Sequence, residues 1–155
     1  MPGGAQAVRI EGLRELQRDL RALDSKLPAE LRKVNLAVAQ MVVAKAQAKA
    51  AGEGRMAAKA ATVLKARGEQ RGASVVLANT ASVPFALGAE FGAGRNSPRH
   101  RTTGTYQGYN QFQPWLGSGA GAGYFLYPTI RGESDHIVEA YEKRLAALLA
   151  RVFPD

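Results

Sequence analysis

The chain has 155 residues and a mass of 16.5 kDa, enough for one ordinary domain that buries roughly 70% of the surface its unfolded chain exposes. It has no cysteine, which excludes a disulfide framework, thiolate metal sites and cysteine catalysis, and fits folding in a reducing compartment. Twenty-one Lys and Arg against thirteen Asp and Glu leave a net charge of +8 and a pI near 10.1, a field that favours polyanions, although an arginine-rich codon bias alone gives such a surface.

No apolar run approaches the roughly 20 residues of a membrane helix. The opening Met1-Pro2-Gly3-Gly4-Ala5-Gln6 lacks the basic start and apolar stretch of a signal peptide, so a soluble chain with no obvious export route is expected. Residues 7–10 alternate and predict a short edge strand. From Gly12 the pattern turns helical, with Leu13, Leu16, Leu20, Leu23 and Leu27 at intervals of three and four. Glu11, Glu15 and Asp19 lie among Arg14, Arg18 and Arg21 as a solvated face. Pro28 suits the first turn of a second helix, because its missing N–H has no partner to lose there. Leu31, Val34, Val38, Met41 and Val42 give that helix an apolar stripe, and an Ala/Lys-rich tail runs to Ala50.

Gly52-Glu53-Gly54 ends the helix. Two strands are expected next, from about Thr62 to Arg67 and from Ala73 to Ala78, around a polar turn, although alanine content argues for helix over 56–66. Residues 84–91 are short and apolar and predict a helical turn. A long loop follows at about 92–123, rich in Gly, with a basic cluster (Arg95, Arg99, His100, Arg101) and spaced aromatics (Tyr106, Tyr109, Phe112, Trp115). Tyr124-Phe125-Leu126-Tyr127-Pro128 reads as a last strand stopped by proline. Ser134 is the expected N-cap of a closing helix whose buried stripe is Ile137, Tyr141, Leu145, Leu148 and Val152.

Little in this sequence supports catalysis. His100 and His136 are isolated from any carboxylate cluster, and no serine stands in a nucleophile elbow. The run Gly117-Ser118-Gly119-Ala120-Gly121-Ala122-Gly123 misses the dinucleotide spacing and precedes a strand-like segment, so it reads as a flexible hinge. No catalytic residue, metal or cofactor is expected. The Arg/aromatic loop is the segment with binding character. Its aromatics and arginines suit a subunit interface first, intramolecular anchoring second and a grip on nucleic acid third. Glu90 stands among Phe85, Leu87 and Phe91, so it either reaches solvent or finds an Arg partner or free backbone amides. Gly92 permits a sharp turn into the loop.

The order of features resembles the small head–tail joining and tail-completion (neck) proteins of long-tailed bacteriophages, over about residues 7–153. The matching features are Gly12-Leu13-Arg14-Glu15-Leu16, the second helix with its Ala/Lys tail, and the hairpin. They continue with Pro84-Phe85-Ala86 followed by Glu90-Phe91-Gly92, then Phe125-Leu126-Tyr127-Pro128-Thr129-Ile130 and the amphipathic closing helix. Gly54-Arg55-Met56-Ala57-Ala58-Lys59 only loosely follows the family's Gly-x-Leu entry, and the loop at 92–123 is longer than a minimal member needs. The resemblance implies a single α+β domain over 1–155. N-terminal helices and a C-terminal helix would pack on a small, mainly antiparallel sheet with a long inserted loop. It further implies a virion protein, made in the host cytoplasm, that forms a ring, commonly of six, between the connector or stopper and the tail tube. DNA would pass through the ring without sequence recognition. On this reading Arg95, Arg99, Arg101, Tyr106, Tyr109, Phe112 and Trp115 contact neighbours, and Phe85, Glu90, Phe91 and Gly92 form a structural corner. The other reading is a small cytosolic nucleic-acid-binding protein that uses the Arg/aromatic loop.

Overall fold

The computed structural model describes residues 8, 10–23, 26–93 and 112–154, and of 20–23 the backbone alone. It is an α+β fold. Among the described residues it contains six helices and one two-stranded antiparallel sheet, in the order α1 (Leu13–Leu23), α2 (Leu27–Gly52), α3 (Arg55–Ala61), β1 (Lys65–Glu69), β2 (Gly72–Val76), α4 (Ala86–Phe91), α5 (Leu126–Gly132) and α6 (Ser134–Val152). The chain divides into two compact units.

The first unit draws on residues up to Lys45, residues 65–76 and residues from Ile130 onward. Its core is the interlocking of two helical stripes: Leu27, Leu31, Val38 and Val42 of α2 against Ile137, Tyr141, Leu145 and Leu148 of α6. Each such side chain taken from water contributes about 1.5–3 kcal/mol. Leu13, Val75 and Ile130 pack on the same cluster. Within α1 the pattern departs from the simple leucine stripe. Leu16 is exposed and Gln17 is fully buried, because the Gln17 side-chain amide donates to the Tyr141 hydroxyl at 3.0 Å. Burial pushes the Tyr141 phenol above its ordinary pKa, and the Gln17 hydrogen bond partly offsets this.

In the hairpin Lys65 pairs with Val76 and Glu69 with Gly72, leaving Gln70 and Arg71 as the turn. Gly68 lets β1 lie directly on α2: a Cβ there would overlap the Arg32 carbonyl oxygen and the Leu36 nitrogen. The fully buried Asn35 amide donates to the Glu69 carbonyl and ties the strand to the helix. On the α6 side, Glu133 and not Ser134 is the N-cap, and Ser134 is the first helical residue. The Glu133 carboxylate accepts instead from Lys45 Nζ (2.9 Å) and sits 2.8 Å from His136 Nδ1, and these two partners hold its pKa below the usual carboxylate value.

The second unit comprises the described residues of 46–64 and 77–129. Its interior is built from small side chains, with Ala46, Ala50, Ala57, Ala60, Ala61 and Ala86 buried beside Leu64, Val83, Phe91 and Phe125. Alanines let α3 and α4 pack closely. Residues 55–61 are helical, as their alanine content argues, and the strand starts at Lys65, later than the expected Thr62. Residues 124–128 form no strand: they enter and begin α5. At the N-terminal side, Val8 and Ile10 carry no strand; the rest of the expected strand at 7–10 lies outside the described residues.

Candidate functional site

The segment 84–92 is a corner held by one carboxylate. Asn79 Oδ1 accepts from the Leu87 N–H at 2.9 Å and starts α4, a helix too short to persist unaided. Glu90, fully buried, reaches α5. Its Oε2 accepts from the N–H groups of Phe125 (3.1 Å) and Leu126 (2.9 Å), and its Oε1 from that of Tyr127 (2.9 Å). A helix leaves its first four N–H groups without intrahelical partners. Here three go to Glu90, and the next residue is Pro128, which has none to place. Pro128 thus sits in a first helical turn and does not stop a strand. Burial raises the Glu90 carboxyl above its ordinary pKa, while the backbone hydrogen bonds of Tyr127, Leu126 and Phe125 pull it back down.

The far end of α4 is closed in the same way. The Glu90 carbonyl accepts from Tyr124 N–H (2.9 Å) and the Phe91 carbonyl from Leu116 N–H (2.6 Å). Phe91 also meets the Tyr127 ring edge-on, with centroids 5.1 Å apart and planes at 89°. Gly92 adopts φ +75°, and any Cβ there would run into the Pro114 carbonyl. A Cβ on Gly123, at φ +89°, would come equally close to Glu90 Oε1. The glycine run at 117–123 is therefore no free hinge throughout. Gly123 makes room for the carboxylate, and Gly117 lies under the Trp115 indole.

Of the residues expected to form a contact surface, Arg95, Arg99, Arg101, Tyr106 and Tyr109 lie outside the described residues, as does His100. Phe112 is half-buried with its ring over Gly88. Trp115 is 49% exposed and Leu116 beside it is 39% exposed. His136 is exposed on α6, and among the described residues no group of three or more His, Asp or Glu could hold a metal ion. No helix among them is long and apolar enough to cross a membrane.

One feature of the first unit has almost no signal in the sequence. Arg32, Gly68, Glu69, Gln70 and Arg71 line an open concavity of about 380 Å³ where the hairpin turn meets α2. The Arg-bearing turn between two strands is the one hint of it. The pairing with Arg32, more than thirty residues earlier, emerges only with the fold. Compared with protein-family models, curated proteins and solved structures, the chain matches none of them.

Proposed function

We propose that the chain is a non-catalytic structural protein of the head–tail junction of a long-tailed bacteriophage. It acts as one subunit of a ring, commonly of six, that joins the connector or stopper to the tail tube and lets DNA pass. Its place is then the virion. One observation carries the reading beyond the order of motifs: the residues that bear the resemblance are occupied with architecture. Glu90 caps α5, Phe91 packs on Tyr127, and Gly92 turns the chain where no side chain fits. A motif spent on holding two helices together suits a protein whose work is done by its surfaces. Beside that corner the exposed Trp115 and Leu116 offer apolar area to a neighbouring subunit.

The test is assembly. Purified protein, alone and mixed with connector and tail-tube proteins, should form closed rings by electron microscopy and light scattering. Trp115→Ala with Leu116→Ser should weaken assembly while leaving the melting temperature within a few degrees. A chain that stays monomeric with both neighbours present would refute the proposal.

A further inference from the structure

Four cations of the first unit stand around the hairpin: Arg32 on α2, Lys65 and Arg67 on β1, and Arg71 in the turn. All four are exposed, and among the described residues none makes an ion pair. Arg18, Lys33, Lys45 and Arg151 of the same unit do, with Asp19, Glu30, Glu133 and Glu30 respectively. Arg32 and Arg71 line one side of the concavity with Gln70, whose amide is a further donor. Lys65 and Arg67 share the exposed face of β1 with Glu69, alternate residues standing about 6.6 Å apart along the strand. The floor is fixed by the close approach of Gly68 to the α2 backbone and by the Asn35–Glu69 hydrogen bond. The two arginines, from separate elements, are thereby presented together before any ligand arrives.

We propose that this concavity and the adjoining face of β1 bind the phosphodiester backbone of a nucleic acid, through charge and not through base sequence. Guanidinium forks match phosphate oxygens in pairs, which a compact ammonium does not. Two arginines at the concavity with two further cations exposed on the adjoining strand fit an extended polyanion better than a single small anion. The net charge of +8 draws such a partner from a distance. Glu69 is the one anionic side chain lining the concavity, and it makes no ion pair among the described residues. A phosphate entering there is repelled by it. The inference stands apart from the ring reading, since a monomer could bind in this way.

The test is fluorescence anisotropy of a labelled random-sequence DNA duplex with the full chain, over a range of salt concentrations. Arg32→Ala with Arg71→Ala should weaken binding tenfold or more at low salt. It should also reduce the slope of log affinity against log salt by about 2, one unit for each phosphate left without its arginine. Glu69→Gln should tighten binding, a gain that misfolding cannot produce. Lys143→Ala with Arg144→Ala removes the same charge from the exposed face of α6 and should change affinity by less than about threefold. The proposal is overturned if the α6 pair weakens binding as much as the hairpin pair, because net charge alone would then explain it. It is also overturned if the wild-type chain does not bind the duplex, or if a polyglutamate peptide, and not DNA, is held by Arg32 and Arg71.

Discussion

Replacing Glu90 by alanine isolates the contribution of a single side chain to the second unit. The substitution leaves the N–H groups of Phe125, Leu126 and Tyr127 without their acceptor in a place closed to water. Each such orphaned donor costs about 1–3 kcal/mol. Three such donors amount to about 3–9 kcal/mol, and relief from burying a carboxylate returns part of that, leaving a net cost on the order of 3–5 kcal/mol. In a chain of this size each kcal/mol lowers the melting temperature by roughly 2–4 °C, so a fall of about 10–15 °C is expected. Glu90→Gln keeps an acceptor oxygen but turns its NH2 toward a backbone donor, and should cost about 1–3 kcal/mol. The assays are urea denaturation for the free energy and amide hydrogen exchange for the location. The amides of residues 125–127 should lose protection before those of α6. An alanine variant within about 1 kcal/mol of wild type, or one with those amides still protected, would refute the idea that this carboxylate is the cap of α5.

Four further outcomes follow from the described contacts. Gly123→Ala places a methyl group against the Glu90 carboxylate at φ +89°, and should destabilise by at least about 1–3 kcal/mol in a urea titration. Gly68→Ala forces β1 off the α2 backbone and should lower the urea midpoint while exposing the hairpin amides to faster exchange. On pH, burial raises the folded-state pKa of Glu90, so it takes up a proton more readily in the fold than in the unfolded chain. Stability from this group is present below the unfolded value of about 4.5 and is lost as pH rises through the folded value. The stability difference between wild type and Glu90→Gln should therefore shrink as pH rises above about 4.5; a difference that grows would mean the three amides outweigh burial. Glu133, whose pKa is lowered by Lys45 and His136, acts with the opposite sign. Its contribution is lost as pH falls below about 4.5, and Glu133→Gln should flatten that acid limb.

The long helices were legible because their apolar stripes are set by the 3.6-residue repeat and little else. Leu31, Val38 and Val42, and Ile137, Tyr141, Leu145 and Leu148, are buried as their spacing requires. The short elements were not legible, because contacts distant in sequence decide them. Tyr124–Pro128 has the residues of a strand, yet Glu90, thirty-five residues before Phe125, satisfies the amides that make a helix start there. Gln17 lies outside the leucine stripe, and the Tyr141 hydroxyl on another helix is what accounts for its burial. The corner itself was half legible. A glutamate among aromatics demands a partner, and one candidate was a set of free backbone amides. Which amides they are depends on where the chain returns after the loop.

That return has a consequence for how the chain tolerates change. Ala93 N–H donates to the Gln113 carbonyl at 3.0 Å, and Leu116 N–H to Phe91, so the chain is clasped where it leaves for residues 94–111 and where it comes back. Once the base is fastened, a longer or shorter span between the two ends alters stability through the entropy of closing a loop. Doubling that length costs only about 0.6 kcal/mol. Glu90 and α5 thus owe their register to hydrogen bonds made on either side of that span, and not to the spacing of the two segments in sequence. The clasp makes two backbone hydrogen bonds, and not the length of chain between them, what the corner depends on.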